Sequence, residues 1–167
     1  TTITITTTIT IHHHHHHHHH SGMHEISHII DGLPVSNQVK ADVRAVYALI
    51  AEAESHVHNK PVTEIHFHEV GTMDAVSDIT AVCLLMERLA PEQVVVSPIH
   101  VGSGQVKCAH GILPVPAPAT AYILRGVPIY GGSIQGELCT PSFCYEVRRY
   151  AGDENDGNRL RHGKKGL

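Results

Sequence analysis

The sequence has no apolar run near the ~20 residues that a membrane-crossing helix needs. It also lacks the charged start and apolar stretch of a secretory signal peptide. None of its four cysteines, Cys83, Cys108, Cys139 and Cys144, belongs to a CxxC pair, and nothing else indicates a secreted disulfide framework. We therefore expect a cytoplasmic protein with reduced thiols and no membrane association.

An excess of positive charge is also missing. The chain has 12 Lys and Arg against 16 Asp and Glu, a net charge of -4 with histidine neutral. This balance argues against a general nucleic-acid binder, so we expect no nucleic-acid partner. No P-loop, GxGxxG or Ser-His-Asp signature is present, so no short motif indicates a nucleotide-binding domain or a serine hydrolase.

Histidine, in contrast, is abundant: the chain has 18, of which nine form the run His12–His20. The preceding residues, Thr1–Ile11, are all Thr or Ile. The His codons CAC and CAT, read one base later, become ACC and ATC, which encode Thr and Ile. We therefore interpret residues 1–22 as a disordered low-complexity segment derived from one native His-rich tract with a frame change. The rival interpretation is a cloning tag at residues 12–20.

Residues 23–141 have the pattern of an α/β domain. Apolar positions at helical spacing predict helices over 24–33, about 37–58 and 73–90, with Ser36 as an N-cap. Alternation over residues 64–68 predicts a strand with Glu64, His66 and His68 on one face, and Val94–Val96 reads as a buried strand. Strands alternating with helices predict a mixed or parallel sheet with flanking helices.

The strongest chemical signal is HFHEVGTMD at residues 66–74. His66 and His68 would share one strand face, and Glu69 and Asp74 add oxygen donors. Imidazole suits nickel, zinc and copper, so the segment predicts a transition-metal site. The alternative is a surface strand with two solvated histidines.

Three further groups of donors are less specific. Cys108 and His110 form a CxH pair in a glycine-rich loop, a soft donor set that nickel or zinc would accept. His56 and His58 repeat the HxH spacing at a helix end, where they would interact with the helix dipole instead. Asp74 and Asp78 lie one helical turn apart, but Asp74 could equally cap its helix.

Four longer segments resemble one known family. They are IAEAESHVHNKPVTEIHFHEVGTMDAVSDI, SPIHVGSGQVKCAHGILPVPAPAT, GVPIYGG and GELCTP, and they occur in family order between residues 24 and 141. The family is that of the LarC nickel-insertion proteins, which often carry a His-rich tract just before this region. Segments of this length are far more specific than a single HxH pair.

The resemblance implies an enzyme, a nickel chelatase of the lyase class. Its members install nickel in pyridinium-3,5-bisthiocarboxylic acid mononucleotide, using CTP and Mg or Mn, and the product is the nickel-pincer cofactor of lactate racemase and related enzymes. The nucleotide-binding part belongs to the family's C-terminal half, which this chain lacks. Its expected partners are therefore the substrate and either that missing half or a second copy. Our candidate metal ligands are His66, His68, Glu69, Asp74, Cys108 and His110; the resemblance does not fix their roles.

The resemblance ends after Pro141, where the segment SFCYEVRRYAGDENDG departs from the family pattern. One coding of the final RLRHGKKGL reads GYGTGKKD in a neighbouring frame, which matches a later family motif. We therefore expect residues 142–167 to be an out-of-frame or disordered tail. Two alternatives to the insertion enzyme stay open: a non-catalytic nickel store based on the His tract, and a zinc hydrolase with Glu69 as base.

Overall fold

The computed structural model describes residues 2–5, 21–67, 70–108 and 111–151. Five helices run through this part of the chain: α1 (Met23–Gly32), α2 (Asn37–His58), α3 (Met73–Leu89), α4 (Pro118–Ile123) and α5 (Pro141–Ala151). The strands are β1 (Thr2–Ile5), β2 (Ser21–Gly22), β3 (His66–Phe67), β4 (Gln93–Val96), β5 (Ile99–His100), β6 (Gly102–Ser103), β7 (Gln105–Cys108), β8 (Gly111–Pro114), β9 (Ile129–Tyr130) and β10 (Gly136–Glu137). The predicted α/β class is confirmed. No helix among the described residues is long and apolar enough to cross a membrane.

The chain forms two compact units, residues 12–90 and residues 1–11 with 91–167. We call them the helical unit and the strand-rich unit. The core of the helical unit lies where α2 packs against α1 and α3. The apolar stripe predicted for α2 is fully buried, and its members are Val39, Val43, Val46, Ile50 and Ala53.

Both ends of α2 follow from local chemistry. The Ser36 side chain accepts a hydrogen bond from the Val39 backbone N–H at 3.1 Å, which confirms the predicted N-cap. The Ser36 hydroxyl also bonds the Glu87 carboxylate, which ties the start of α2 to α3. At the other end, Asn59 adopts the left-handed conformation with φ 50° and stops the helix.

A short antiparallel pair joins the start of α1 to the strand that follows α2. Ser21 is opposite Phe67, and Gly22 is opposite His66. The strand predicted over residues 64–68 is wrong at its start, because Val62–Glu64 form a turn of 3-10 helix. Glu64 therefore does not share a strand face with His66.

The strand-rich unit contains the remaining strands as two-stranded pairs. β1 runs parallel to β4, with Thr2 opposite Gln93 and Ile5 opposite Val96. β5 and β9 are also parallel, whereas β7 and β8 form an antiparallel hairpin. The parallel setting of β4 agrees with its apolar sequence. Thr2–Ile5 belong to the predicted low-complexity segment and form a strand here, while residues 12–20 lie outside the described residues.

Helix α5 occupies the beginning of the segment for which we expected an out-of-frame or disordered tail. It packs against α4 and β4. Its side chains Cys144, Tyr145 and Val147 are buried, so residues 142–151 take part in the core. Residues 152–167 lie outside the described part, and the frame change stays a prediction.

Candidate metal centre

His66 is presented to solvent by a strand whose neighbouring side chains are buried. Ile65 and Phe67 are 4% and 1% exposed, whereas His66 is exposed. This is the alternation of a strand with one face toward the core. The imidazole lies beside Gly22, because a Cβ on that residue would be 4.0 Å from His66 Nδ1.

The chain after His66 is fixed by Tyr47 of α2. The rings of Tyr47 and Phe67 meet edge to face with centroids 5.6 Å apart. The Tyr47 hydroxyl donates a hydrogen bond to the Val70 carbonyl oxygen at 2.9 Å. Burial raises the pKa of the Tyr47 hydroxyl well above its usual range, so it remains a donor. One buried side chain thus holds both Phe67 and Val70, the two residues that flank His68 and Glu69.

The loop then enters α3 through a close turn. A Cβ on Gly71 would lie 2.7 Å from the Phe67 carbonyl oxygen, so the close approach requires glycine. Thr72 is the N-cap and accepts from the Ala75 N–H at 3.4 Å. Asp74 therefore does not cap the helix; it lies exposed in the first turn, where a carboxylate is favoured by the helix dipole. Asp78, one turn later, is also exposed.

Of the six predicted ligands, the structure describes His66, Asp74 and Cys108. His66 and Asp74 both belong to the helical unit, on the two elements that enclose the loop 67–72. His68, Glu69 and His110 lie outside the described residues. Within the described ranges, no group of three or more His, Cys, Asp or Glu is arranged to hold a metal ion. The six-residue ligand set therefore stays a prediction.

Cys108 ends the first strand of a hairpin in the strand-rich unit. It is opposite Gly111, with two residues between the strands, and Gly111 has φ 101°. Cys108 is a half-buried free thiol. Cys108 belongs to the strand-rich unit and His66 to the helical unit.

His56 and His58 lie exposed in the last turn of α2, as predicted. His58 Nε2 is 3.2 Å from Glu54 Oε2, one helical turn earlier. Residues two apart on a helix point in different directions, so the two imidazoles do not face one ligand. The interpretation of this pair as a helix-end feature is the better supported one.

Sequence reasoning overlooked two groups of side chains. His24 and His28 are both exposed on α1 at a spacing of four residues, and the i,i+4 pattern itself would have found them. His100 accepts a hydrogen bond from the Gly102 N–H on Nδ1 at 3.0 Å, and its ring lies 4.6 Å from that of Tyr130. No sequence pattern predicts the contact between His100 and Tyr130, because it depends on the pairing of β5 with β9.

Comparison with known proteins adds independent information. A family model described as nickel insertion protein matches residues 1–152, a range that extends past Pro141 and includes α5. No solved structure matches the chain.

Several curated relatives share the name pyridinium-3,5-bisthiocarboxylic acid mononucleotide nickel insertion protein. The one from Desulfitobacterium hafniense is 44% identical over 128 residues, covering 77% of this chain and 32% of the relative. Those from Clostridium kluyveri and Staphylococcus saprophyticus are 42% and 41% identical, over 72% and 71% of this chain and 30% of each relative. The chain thus spans about a third of the length of the curated relatives it matches.

Proposed function

Since the chain belongs to the nickel insertion protein family, we propose that it is part of an enzyme that inserts nickel into pyridinium-3,5-bisthiocarboxylic acid mononucleotide. The proposal rests on the family match over residues 1–152 and on the names of the relatives. Among the described residues, the exposed His66 on strand β3 is the donor that fits it best. Nickel is the cargo of this reaction. The chain's contribution is to hold the ion at a defined place before transfer, and we place the protein in the cytoplasm.

The donor chemistry gives the transfer a direction. Imidazole and carboxylate, the proposed donors at His66, His68, Glu69 and Asp74, bind nickel through nitrogen and oxygen. The two thiocarboxylate groups of the substrate offer sulfur, a softer donor that also suits nickel. A site made of nitrogen and oxygen donors can therefore give up the ion to a substrate that supplies sulfur.

The position of His66 permits direct transfer. Its side chain and that of Asp74 are exposed, so a substrate can approach without opening the core. Phe67 and Val70 both contact Tyr47, which positions the residues on either side of His68 and Glu69.

The described residues do not offer a site for Mg or Mn. Among these residues no cluster of three or more acidic side chains, His or Cys could hold the metal. We assign nucleotide and Mg or Mn binding to the part of the family proteins beyond this chain, and we propose that part, or a second copy of this chain, as its partner.

The proposal is tested by transfer of nickel to the substrate. Replacing His12–His20 by serine removes the tract and keeps the chain length. The nickel-loaded protein is mixed with the mononucleotide, CTP, Mg²⁺ and the proposed partner, which is the part of a family protein beyond this chain. Nickel–sulfur absorption reports transfer. We expect His66→Ala with His68→Ala to abolish protein-dependent transfer. His56→Ala with His58→Ala, which removes the same HxH spacing elsewhere, should have little effect; equal loss in both would contradict the proposal.

A nickel store is the second candidate function, supported by the run of nine histidines. Such a tract has many equivalent ligands and suits buffering. The serine replacement separates the two functions, because a store would lose nearly all of its nickel capacity. An insertion site in the folded domain would instead still bind nickel after the replacement.

A further inference from the structure

Helix α1 carries two exposed imidazoles on one face. His24 and His28 are four residues apart, and residues at i and i+4 on a helix lie one above the other with Cβ atoms about 5–6 Å apart. The opposite face is buried, with Ile26 and Ile30 at 0% and 1% exposure. Burial of that face fixes which side of the helix the histidines occupy.

The helix is anchored at both its face and its start. It packs against α2, and the preceding Gly22 is paired with His66 in the β2–β3 ladder. The two imidazoles are therefore presented by a formed helix, and a metal ion that binds them need not order the backbone first. We propose that His24 and His28 form a two-imidazole binding site for nickel, distinct from the candidate ligands of the loop 66–74.

The chemistry favours a weak, exchangeable site. Neutral imidazole is a good ligand for nickel, and two donors leave the other coordination positions to water or to an incoming ligand. In the described residues no third His, Cys, Asp or Glu completes the set. An open site of this kind exchanges its ion faster than a closed one.

The location gives the site a role. His24 follows the last residue of the run His12–His20 by four positions, and the His66 imidazole lies beside Gly22 at the start of the same helix. Along a helix, His24 is about 3 Å and His28 about 9 Å beyond Gly22. The pair is a transfer point for nickel between the tract and His66; this role rests on the proposed function, whereas the binding itself does not.

The sequence HEISH at residues 24–28 also matches the H-E-x-x-H pattern of zinc peptidases, in which Glu25 would be the base. A catalytic zinc ion is held by three protein ligands, and its fourth coordination position is taken by water or substrate. An exposed helix face without a third donor among the described residues does not supply them. We therefore assign the pair to metal exchange.

The test uses the full chain and histidine-directed carbethoxylation read by peptide mass spectrometry. Nickel should protect His24 in the natural sequence. His28→Gln removes one imidazole of the pair, and His56→Gln makes the same substitution at an exposed histidine of α2. In His28→Gln, half-protection of the unaltered His24 should need about tenfold more nickel, because the second imidazole is no longer held nearby. In His56→Gln it should need the same nickel concentration as in the natural chain.

A second measurement, the shift of the unfolding midpoint by nickel, does not depend on nickel that binds to the run His12–His20. Consecutive histidines can chelate nickel in folded and unfolded chains alike, whereas the α1 pair requires the helix. Nickel should therefore raise the unfolding midpoint more in the natural chain than in the His28→Gln variant. Equal His24 protection and equal midpoint shifts in the two proteins would overturn the proposal, as would zinc-dependent peptide cleavage that requires Glu25.

The outcome is separable from that of the proposed function. In His66→Ala with His68→Ala, the protection of His24 by nickel should persist. Loss of transfer in that variant with intact His24 protection supports both proposals. Intact transfer with intact His24 protection contradicts the insertion site alone.

Discussion

The Tyr47 hydroxyl donates a hydrogen bond to the Val70 carbonyl oxygen at 2.9 Å, joining the middle of α2 to the loop that follows His66. The same ring packs edge to face on Phe67. The candidate site thus depends on a residue that is not itself a ligand. Positioning of the loop can therefore be altered without removing any metal donor.

Removing that hydroxyl should destabilise the protein and weaken nickel binding together. Tyr47→Phe keeps the ring contact with Phe67 but leaves the Val70 carbonyl without this donor, at a cost of about 1–2 kcal/mol. Urea unfolding measures the stability, and calorimetry on the tract-free protein measures nickel affinity. Loss of stability with unchanged affinity would show that the loop position does not matter for binding.

The turn before α3 should tolerate no side chain at Gly71. A Cβ there meets the Phe67 carbonyl oxygen at 2.7 Å, so Gly71→Ala should destabilise by about 1–3 kcal/mol. Gly32→Ala is the matched control, because nothing lies within 4 Å of its Cβ and alanine favours a helix. Thermal unfolding should show a lower midpoint for Gly71→Ala and an unchanged or higher one for Gly32→Ala.

The buried Cys144 should make stability depend on alkaline pH. A hydrogen bond with Cys139, whose Sγ is 2.7 Å away, and then burial raise the pKa of the Cys144 thiol far above its ordinary value of 9.0. The folded protein keeps this proton where the unfolded chain loses it. The contribution is therefore complete below pH 9 and declines above it, by up to about 1.4 kcal/mol per pH unit.

Urea midpoints between pH 7 and pH 10 measure this decline. Cys144→Ser has no thiol to ionise in the unfolded chain, so its midpoint should fall less steeply above pH 9 than that of the natural chain. Parallel profiles for the two proteins would show that Cys144 does not carry the dependence.

Thiol alkylation should separate Cys108 from the other three cysteines. Cys108 is half-buried at the end of a hairpin, whereas Cys83, Cys139 and Cys144 are buried. In the native protein only Cys108 should react readily, and the others only after unfolding. If Cys108 and His110 bind nickel, the ion should slow the labelling of Cys108, and His110→Ala should remove that protection. Equal labelling of all four would contradict the buried positions.

Helices α1, α2 and α3 could be predicted from sequence because their signals are local. Ser36 and Thr72 precede amphipathic runs, and each caps its helix through a neighbouring backbone N–H. In α3, the apolar residues Val76, Ile79 and Cys83 lie at helical spacing and are buried. Such patterns need no knowledge of the rest of the chain.

Long-range contacts could not be predicted in the same way. The bond from Tyr47 to Val70 spans 23 positions, and no periodicity in α2 indicates it. The burial of Cys144 and Tyr145 depends on α4 and β4, and the departure from the family pattern after Pro141 gave no indication of it. Glu64 was placed in a strand because alternation ignores the turn that begins at Val62.

The most direct test of the central claim is a calorimetric titration with nickel of the protein whose residues 12–20 have been replaced by serine. The account predicts one site that persists in His56→Ala with His58→Ala and is lost in His66→Ala with His68→Ala. The weaker α1 pair is removed from the titration by His28→Gln in all three proteins. Binding that is unchanged by loss of His66 and His68 would contradict the account.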